Sequence, residues 1–401
     1  MKEKAMTQKN VYDNLLVVLI ASLVSGYVGG MLYSLVHIVE IVFLPYLFSC
    51  KFLFRKKFFA QLFLFAFVWL SFSAVSLLWA SEAHRGVVTV IMFFFRFLMC
   101  FEILAFSLRA RWPLESISKG WLVAVIMTLF VGLWEIMTDH HLAIAREVEY
   151  SALGEIIQRA QASVLFYNPN TYSLFLVMAF PFLIYRLIIG DKKWLTLTAL
   201  LLSSFIVIKN ASRGAIICVG IMVVMALAFF LMRKKYRWHA IFSALVLAGL
   251  MFFFGHDLFS VFLFRMETHG MQDGARFEIW AGAWDVFLKS RGLGVGAGSM
   301  TAVLGALNSY GIGYAHCFLL EALVEGGVVL AALTFGFIYG LFKAALSKPE
   351  KNVRLVVYMA LITFPIYSII NSEYLRPAFI WCFFMCVFMF SRYRKLDVSQ
   401  R

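Results

Sequence analysis

Three residues in this chain stand where chemistry is expected, and each sits at the start of an apolar or amphipathic run. His316 opens the stretch His316-Cys317-Phe318-Leu319-Leu320-Glu321. The partial positive charge of a helix N-terminus disfavours an imidazolium, so a histidine there stays neutral and is able to take a proton. Arg213 opens another run, in Asn210-Ala211-Ser212-Arg213-Gly214. A helix start presents unpaired N–H groups, and an added guanidinium makes it a phosphate seat. Arg276 follows Gly274-Ala275, and its planar fork suits diphosphate oxygens. Each has a plainer reading: a satisfied interfacial histidine, an arginine capping a span, and a surface arginine paired with Asp273 or Glu278. Taken together, a neutral base and two arginines on one membrane face suit glycosyl transfer from a lipid diphosphate. The base would take the acceptor hydroxyl's proton, and the arginines would neutralise the departing diphosphate. No Asp-x-Asp pair occurs in the polar loops, which disfavours a metal-bound nucleotide sugar as donor. No metal site and no cofactor is expected. Asp139, His140 and His141 could ligate a metal, but a solvated loop is the plainer account.

The elements that must position these groups follow from composition. Of 401 residues, 62% are hydrophobic and 14% charged, with mean hydropathy +0.85. Soluble domains carry about 25% charged residues. The chain reads as an all-α polytopic membrane protein, a single integral membrane domain over 1–401. A crossing helix needs about 20 apolar residues. The runs near 14–31, 33–50, 58–79, 86–108, 120–138, 171–189, 194–209, 213–232, 239–255, 316–342, 355–370 and 376–391 give about 12 spans. They are continuous and do not alternate, which excludes a barrel. The polar N-terminus leads into a retained first helix rather than a cleaved signal. The six cysteines lie mostly in apolar runs. Cys382 and Cys386, one helical turn apart, read as small buried apolar residues rather than a metal pair.

The net charge of +14 does not point to nucleic acid, because the basic residues fall in short clusters between apolar runs. Twenty-five of the 36 lie in alternate loops, among them Lys51–Lys57, Arg233–Arg237 and Lys343–Arg354. Ten lie in the other set, and Arg96 alone falls within a span. Cytoplasmic loops carry this excess, so both termini are expected in the cytoplasm. The loops at 139–170 and 256–315, and the turns at 80–85, 209–212 and 371–375, then face outward. The largest, 256–315, lies between the ninth and tenth spans. Within it Phe277, Trp280, Trp284 and Phe287 share one helical face, suited to the membrane interface or to neighbouring helices. Ala143–Tyr167 reads as moderately helical.

Further polar residues join the candidates. His37, Glu40 and Arg96 are ionisable groups inside spans, where such residues face a cavity or a partner. A Glu40–Arg96 pair could line the lipid's route to the site. Glu321 and Glu325, one turn apart, could orient His316 or bind sugar hydroxyls. Trp79, Glu82 and Arg85 form an outer rim. Asn168 is suited to cap the sixth span.

At this point the chain resembles the O-antigen ligase and polymerase superfamily. The resemblance rests on the twelve-span plan with its large outer loop and on motifs over residues 165–330. These are Phe166-Tyr167-Asn168-Pro169-Asn170, Ser212-Arg213-Gly214, Ala275-Arg276 with Trp280, Gly294-Val295-Gly296-Ala297-Gly298, and His316 with Leu320-Glu321 and Glu325-Gly326-Gly327. It implies a GT-C-like fold in the bacterial cytoplasmic (inner) membrane. It implies metal-independent transfer of undecaprenyl-diphosphate-linked glycans on the outer face. Arg213 and Arg276 would match the diphosphate-binding arginines and His316 the catalytic histidine, with Glu321, Glu325, Asn168, Asn170, Arg96 and Glu40 in substrate-binding positions. Expected partners are the lipid-linked glycan, an acceptor glycan or lipid, membrane lipids and a chain-length regulator. Cys317 departs from the His-Asn or His-Asp of many ligases, and Asn168-Pro169-Asn170 is similar to polymerases of capsule, exopolysaccharide and teichuronic-acid type. Polymerisation of surface polysaccharide is therefore the first expectation, and ligation to lipid A-core the alternative. A lipid-linked oligosaccharide flippase is more remote, because few charges interrupt the spans and the two halves show no duplication.

Overall fold

The computed structural model describes residues 2–25, 34–51, 56–142, 149–150, 156–157, 161–234, 237–238, 241, 245, 274–308, 311–346, 350–371 and 373–397. Its helices are α1 (Lys2–Ala21), α2 (Leu35–Phe48), α3 (Lys57–Val75), α4 (Ala83–Arg109), α5 (Pro113–Thr138), α6 (Pro169–Ile189), α7 (Lys193–Lys209), α8 (Arg213–Leu231), α9 (Gly274–Lys289), α10 (Met300–Leu307), α11 (Phe318–Ala345), α12 (Lys351–Tyr367) and α13 (Ala378–Asp397). Among the described residues, six helical segments are long and apolar enough to cross a membrane: Lys57–Leu78, Ala83–Arg109, Pro113–Thr138, Pro169–Ile189, Arg213–Leu231 and Phe318–Ala344. Val11–Ser25, Leu35–Phe48 and Ala378–Arg392 are shorter apolar helices. The run at 239–255, apart from positions 241 and 245, and residues 256–273 of the large loop lie outside the described residues. Much of Ala143–Tyr167 does too. Its described part departs from the helical expectation, with Glu149–Tyr150 paired antiparallel to Ile156–Ile157. The β-branched Ile156-Ile157 pair favours that local pairing over a helix.

The described chain packs as two units. The first draws on Met1–Ala124, Gly274–Pro349 and Asn371–Arg401, the second on Val125–Asp273 and Glu350–Ile370. In the first, α4 packs on α1, α2, α3 and α13. Hydrocarbon gives no drive between apolar helices, so fit and van der Waals contact must hold them together. Four buried rings supply that fit: Trp69, Phe93, Phe97 and Trp381, with centroids 5.3 to 6.1 Å apart. Aromatic pairs of this geometry are worth about 0.5–1.5 kcal/mol each beyond area burial. Asp13 on α1 accepts hydrogen bonds from the N–H groups of Arg111 and Trp112, at 3.1 and 3.0 Å, which seats the start of α5. Over the α11 N-terminus, α9 and α10 close a small core of Ala283, Val286, Met300, Leu304, Ala315 and Val324.

In the second unit α6 is buried on every side from Thr171 to Arg186, as expected of a helix that is apolar all round. It packs on α7, α8 and α12. Its ends are written locally. Asn168 Oδ1 accepts the Asn170 N–H at 2.7 Å, Pro169 occupies the first turn, and Gly190 closes the helix at φ 88°.

Candidate active site

His316 does not begin α11. It stands one residue before the N-cap, Cys317, and takes the left-handed conformation, φ 50°. Among non-glycine residues that region is sparsely populated, and histidine visits it more readily than most. A residue held there marks a place where surrounding contacts decide the backbone. Those contacts are present on both sides. Upstream, Trp280 on α9 donates its indole N–H to the carbonyl of buried Ala315 at 2.8 Å. Downstream, Glu321 in the first turn of α11 accepts the N–H groups of Tyr374 and Leu375, at 2.7 and 3.3 Å. The His316 ring is half-buried, with Nδ1 shielded from solvent. Helix α9 also carries Arg276, half-buried and within Coulombic reach of Tyr374. The aromatic face expected on α9 divides in function. Trp280 turns inward, Phe277 and Trp284 stay exposed, and the core side is Ile279, Ala283 and Val286.

Glu325 is fully buried and committed to protein partners. Its Oε1 accepts the Gly298 N–H at 2.5 Å and lies 3.8 Å from Arg376. Helix α11 breaks just beyond it, at Gly326 and Gly327. The glycine-rich turn fills this break. Val295 N–H donates to Val324 O at 2.8 Å, Gly296 N–H to Glu325 O at 3.1 Å, and Val328 N–H to Gly292 O at 2.9 Å. Gly294, Gly296 and Gly298 have φ of 77°, 89° and 77°, and a Cβ on any of them would meet backbone within 2.8 Å. The rim residues close the same surface: Trp79 Nε1 donates to Gly294 O at 3.1 Å, and Arg85 lies 3.9 Å from Glu82.

Arg376 joins this cluster. Its guanidinium lies 3.1 Å from Glu373, and its carbonyl accepts Nε–H of Arg96 at 2.6 Å. Burial works against the charge on Arg376, but the Glu373 and Glu325 carboxylates outweigh it and hold its pKa above the usual arginine value. Tyr314 is pushed up to about 12, by the Glu373 charge and then by burial. Arg96 turns its other side to His37, at 2.9 Å from Nε2. Glu40 is buried within Coulombic reach of Arg96, but neither of its oxygens has a hydrogen-bond partner. The expected Glu40–Arg96 pair is electrostatic rather than hydrogen-bonded.

The second unit holds Arg213, Asn168 and Asn170. Arg213 is the first residue of α8, half-buried, just after Ala211 at φ 49°. The turn before it is fixed by Asn210. Its side-chain oxygen accepts Ala162 N–H at 2.8 Å, and its amide donates to Ala162 O, Pro169 O and Ser173 Oγ at 2.9, 3.2 and 3.1 Å. Glu135, near the end of α5, accepts the N–H groups of Ser163 and Val164, both at 2.8 Å. These two buried side chains hold the segment that leads to the Asn168 cap. Among the described residues no group of three or more His, Cys, Asp or Glu is placed to hold a metal ion.

Residues 198–335 match the family model described as O-antigen ligase. The teichuronic acid biosynthesis protein TuaE of Bacillus subtilis (strain 168) is 25% identical over 350 residues, 80% of this chain and 70% of that protein. The resemblance to the O-antigen ligase and polymerase superfamily therefore holds, and the chain is a multi-pass membrane protein. The matched stretch contains Arg213, Arg276, His316, Glu321 and Glu325 and leaves out Asn168, Asn170, Glu40 and Arg96.

Sequence reasoning missed Arg376, Glu373, Glu135 and Asn210 as organising residues. For Arg376 a signal was there: Glu373 and Arg376 are three apart in a short polar turn that opens α13. For Glu135 two of the partners are backbone groups nearly 30 positions away, which no spacing announces.

Proposed function

We propose that this chain is a membrane glycosyltransferase of the O-antigen ligase and polymerase type. It moves a glycan from undecaprenyl diphosphate to an acceptor hydroxyl on the outer face of the cytoplasmic membrane, and it polymerises the repeat units of a surface polysaccharide. Twelve spans, both termini in the cytoplasm and an outward 256–315 loop complete the reading, supported by the alternation of basic clusters.

The observation that carries it is the arrangement at His316. His316 takes a left-handed turn just before a helix N-terminus, between Ala315, whose carbonyl Trp280 holds, and the first turn of α11, which Glu321 ties to Tyr374. In the proposed reaction the acceptor oxygen forms a bond to the anomeric carbon as the bond from that carbon to the diphosphate breaks. The acceptor proton passes to His316, and undecaprenyl diphosphate leaves with the bonding pair. General-base assistance of this kind is worth about 10²–10⁴-fold. Arg213 and Arg276 balance charge on the departing diphosphate, where a preorganised cation is worth more than in water. Glu321 and Glu325 contribute by fixing α11, and Asn168 by fixing the start of α6; Asn170, Arg96 and Glu40 remain proposed lining for the lipid-linked glycan. No metal takes part.

The similarity to a teichuronic acid biosynthesis protein and Cys317 after His316 favour polymerisation. The description of the matching family as a ligase favours the second reading, transfer to lipid A-core. A deletion strain separates them on a gel of its surface glycan. Loss of long chains with a single repeat still attached is the polymerase result. Loss of all attachment while lipid-linked polymer accumulates is the ligase result. His316→Ala on a plasmid should fail to restore either phenotype at normal protein level, and full restoration would remove the base assignment.

A further inference from the structure

In the second unit, α8 and α12 run antiparallel and pack closely at the Arg213 end. At the Arg213 end a Cβ built on Gly214 would sit 2.7 Å from Ile370, and Cys218 Sγ lies 3.9 Å from the Thr363 carbonyl. Those small residues let the helices approach. At the other end Arg233 meets Asn352 Oδ1 at 2.8 Å, so Arg233 and the start of α12 share a level. The 19 residues of α8 rise about 28 Å, enough to put these two ends at opposite membrane faces.

Where the small residues stop, the pair opens into a groove of about 660 Å³. That is within the size range of ligand sites. Its floor is apolar, including Met225, Phe229 and Leu355, and its rim carries Arg233, Lys351 and Arg354, with no acidic residue among the described residues of the lining. The Arg233 guanidinium is laid over the Phe229 ring at 4.5 Å and tied to Asn352, so one cation is fixed at the rim. Arg354 is half-buried on the first turn of α12, with its N–H on the Glu350 carbonyl. An apolar trough ending in three cations complements a molecule with a hydrocarbon tail and an anionic head.

We propose that this groove binds an anionic phospholipid. Its phosphate sits among Arg233, Lys351 and Arg354, and one acyl chain lies along Met225, Phe229 and Leu355. The site is at the membrane face opposite Arg213 and is distinct from the residues assigned to glycan transfer. Basic pockets between membrane helices select anionic headgroups by this combination of charge and apolar wall. The site does not depend on the proposed reaction.

The purified full chain in neutral detergent tests it by native mass spectrometry, with phosphatidylglycerol, phosphatidylcholine and inorganic phosphate as separate probes. Phosphatidylglycerol is expected to stay bound where phosphatidylcholine is lost. Each basic residue near a lipid surface is worth about fivefold in affinity, so K351Q with R354Q should weaken phosphatidylglycerol about 25-fold. Arg233 is kept in that variant because it ties α8 to α12. A photoreactive phosphatidylglycerol should label peptides containing residues 225–233 and 351–358, a readout that needs no variant. Equal retention of the two lipids would overturn the proposal, as would labelling confined to other helices. So would an unchanged affinity in the double variant at an unchanged melting temperature. Displacement of the lipid by inorganic phosphate at equal potency would overturn the role of the acyl chain.

Discussion

Replacing Trp280 with phenylalanine isolates one contact at the proposed base. The change removes the indole N–H that Ala315 O accepts at 2.8 Å and keeps an aromatic ring beside Phe277, whose centroid lies 5.7 Å away. Ala315 is completely buried, so its carbonyl would lose its indole partner away from water. An unsatisfied buried group of this kind costs about 1–3 kcal/mol. Ala315 precedes His316, whose φ of 50° persists only while its neighbours impose it. Releasing one neighbour lets the imidazole drift, and a misplacement of about 1 Å can cost about 100-fold in rate. We therefore expect W280F to fold, to melt a few degrees lower, and to lose about 10- to 100-fold in kcat with KM nearly unchanged. Membrane vesicles supplied with lipid-linked repeat units give the rate, and tryptophan fluorescence against temperature gives the stability. Wild-type turnover in a variant that has lost the stated stability would refute the view that Trp280 positions His316.

Four further outcomes follow from the same geometry. Arg376→Ala strips the cation from buried Glu325 and half-buried Glu373, 3.8 and 3.1 Å away, and breaking a buried pair costs about 3–5 kcal/mol; a melting temperature within a degree of wild type would show that the cluster carries no load. Gly298→Ala sets a Cβ 2.5 Å from Gly86 N and 2.7 Å from Arg85 O at φ 77°, a cost of about 2–4 kcal/mol, whereas Gly282→Ala on α9 meets nothing within 4 Å and should gain stability; equal melting of the two variants would contradict this. Arg213→Lys should lose most glycan transfer if a bidentate diphosphate contact is used, with protein level as the control, and undiminished transfer would point to a structural arginine. EDTA should leave transfer in vesicles unchanged, and inhibition reversed by a divalent cation would reopen metal chemistry.

Much of the helical layout was legible because each run had to be apolar over most of its length. The expected stretch at 171–189 falls on Pro169–Ile189, and 213–232 on Arg213–Leu231. Helix ends were read where a side chain caps them locally, as Asn168 does. Where polar residues continue a helix the span and the helix differ: the span expected from about residue 14 overlaps the apolar stretch Val11–Ser25, while α1 itself begins at Lys2. His316 was placed at the right helix but inside it. Its left-handed turn is imposed by Trp280 and α11 together, and a periodic pattern carries no sign of it. The carboxylates show the same division. That Glu321 and Glu325 share one helix face follows from their spacing. That their oxygens go to the backbone of residues 374, 375 and 298 depends on chain segments distant in sequence.

The glycine-rich turn is where the two readings part most usefully. As a sequence it stands only as one of the motifs that carry the resemblance. In the structure its three left-handed glycines are there for close approach, because Cβ atoms would strike the backbone of α11, the Ser76 carbonyl and the start of α4. A break within a membrane helix is tolerated only where protein or a cavity satisfies the freed groups. Here the turn supplies the donors: Val295 and Gly296 take the carbonyls of Val324 and Glu325, and Gly298 takes the Glu325 side chain. Helix α11 is thus clamped on both sides of Gly326-Gly327, and its first two turns cannot slide along their axis without breaking these bonds. The N-terminus of that clamped segment is where His316 stands, so the turn's stiffness, not its mobility, is what a positioned base requires.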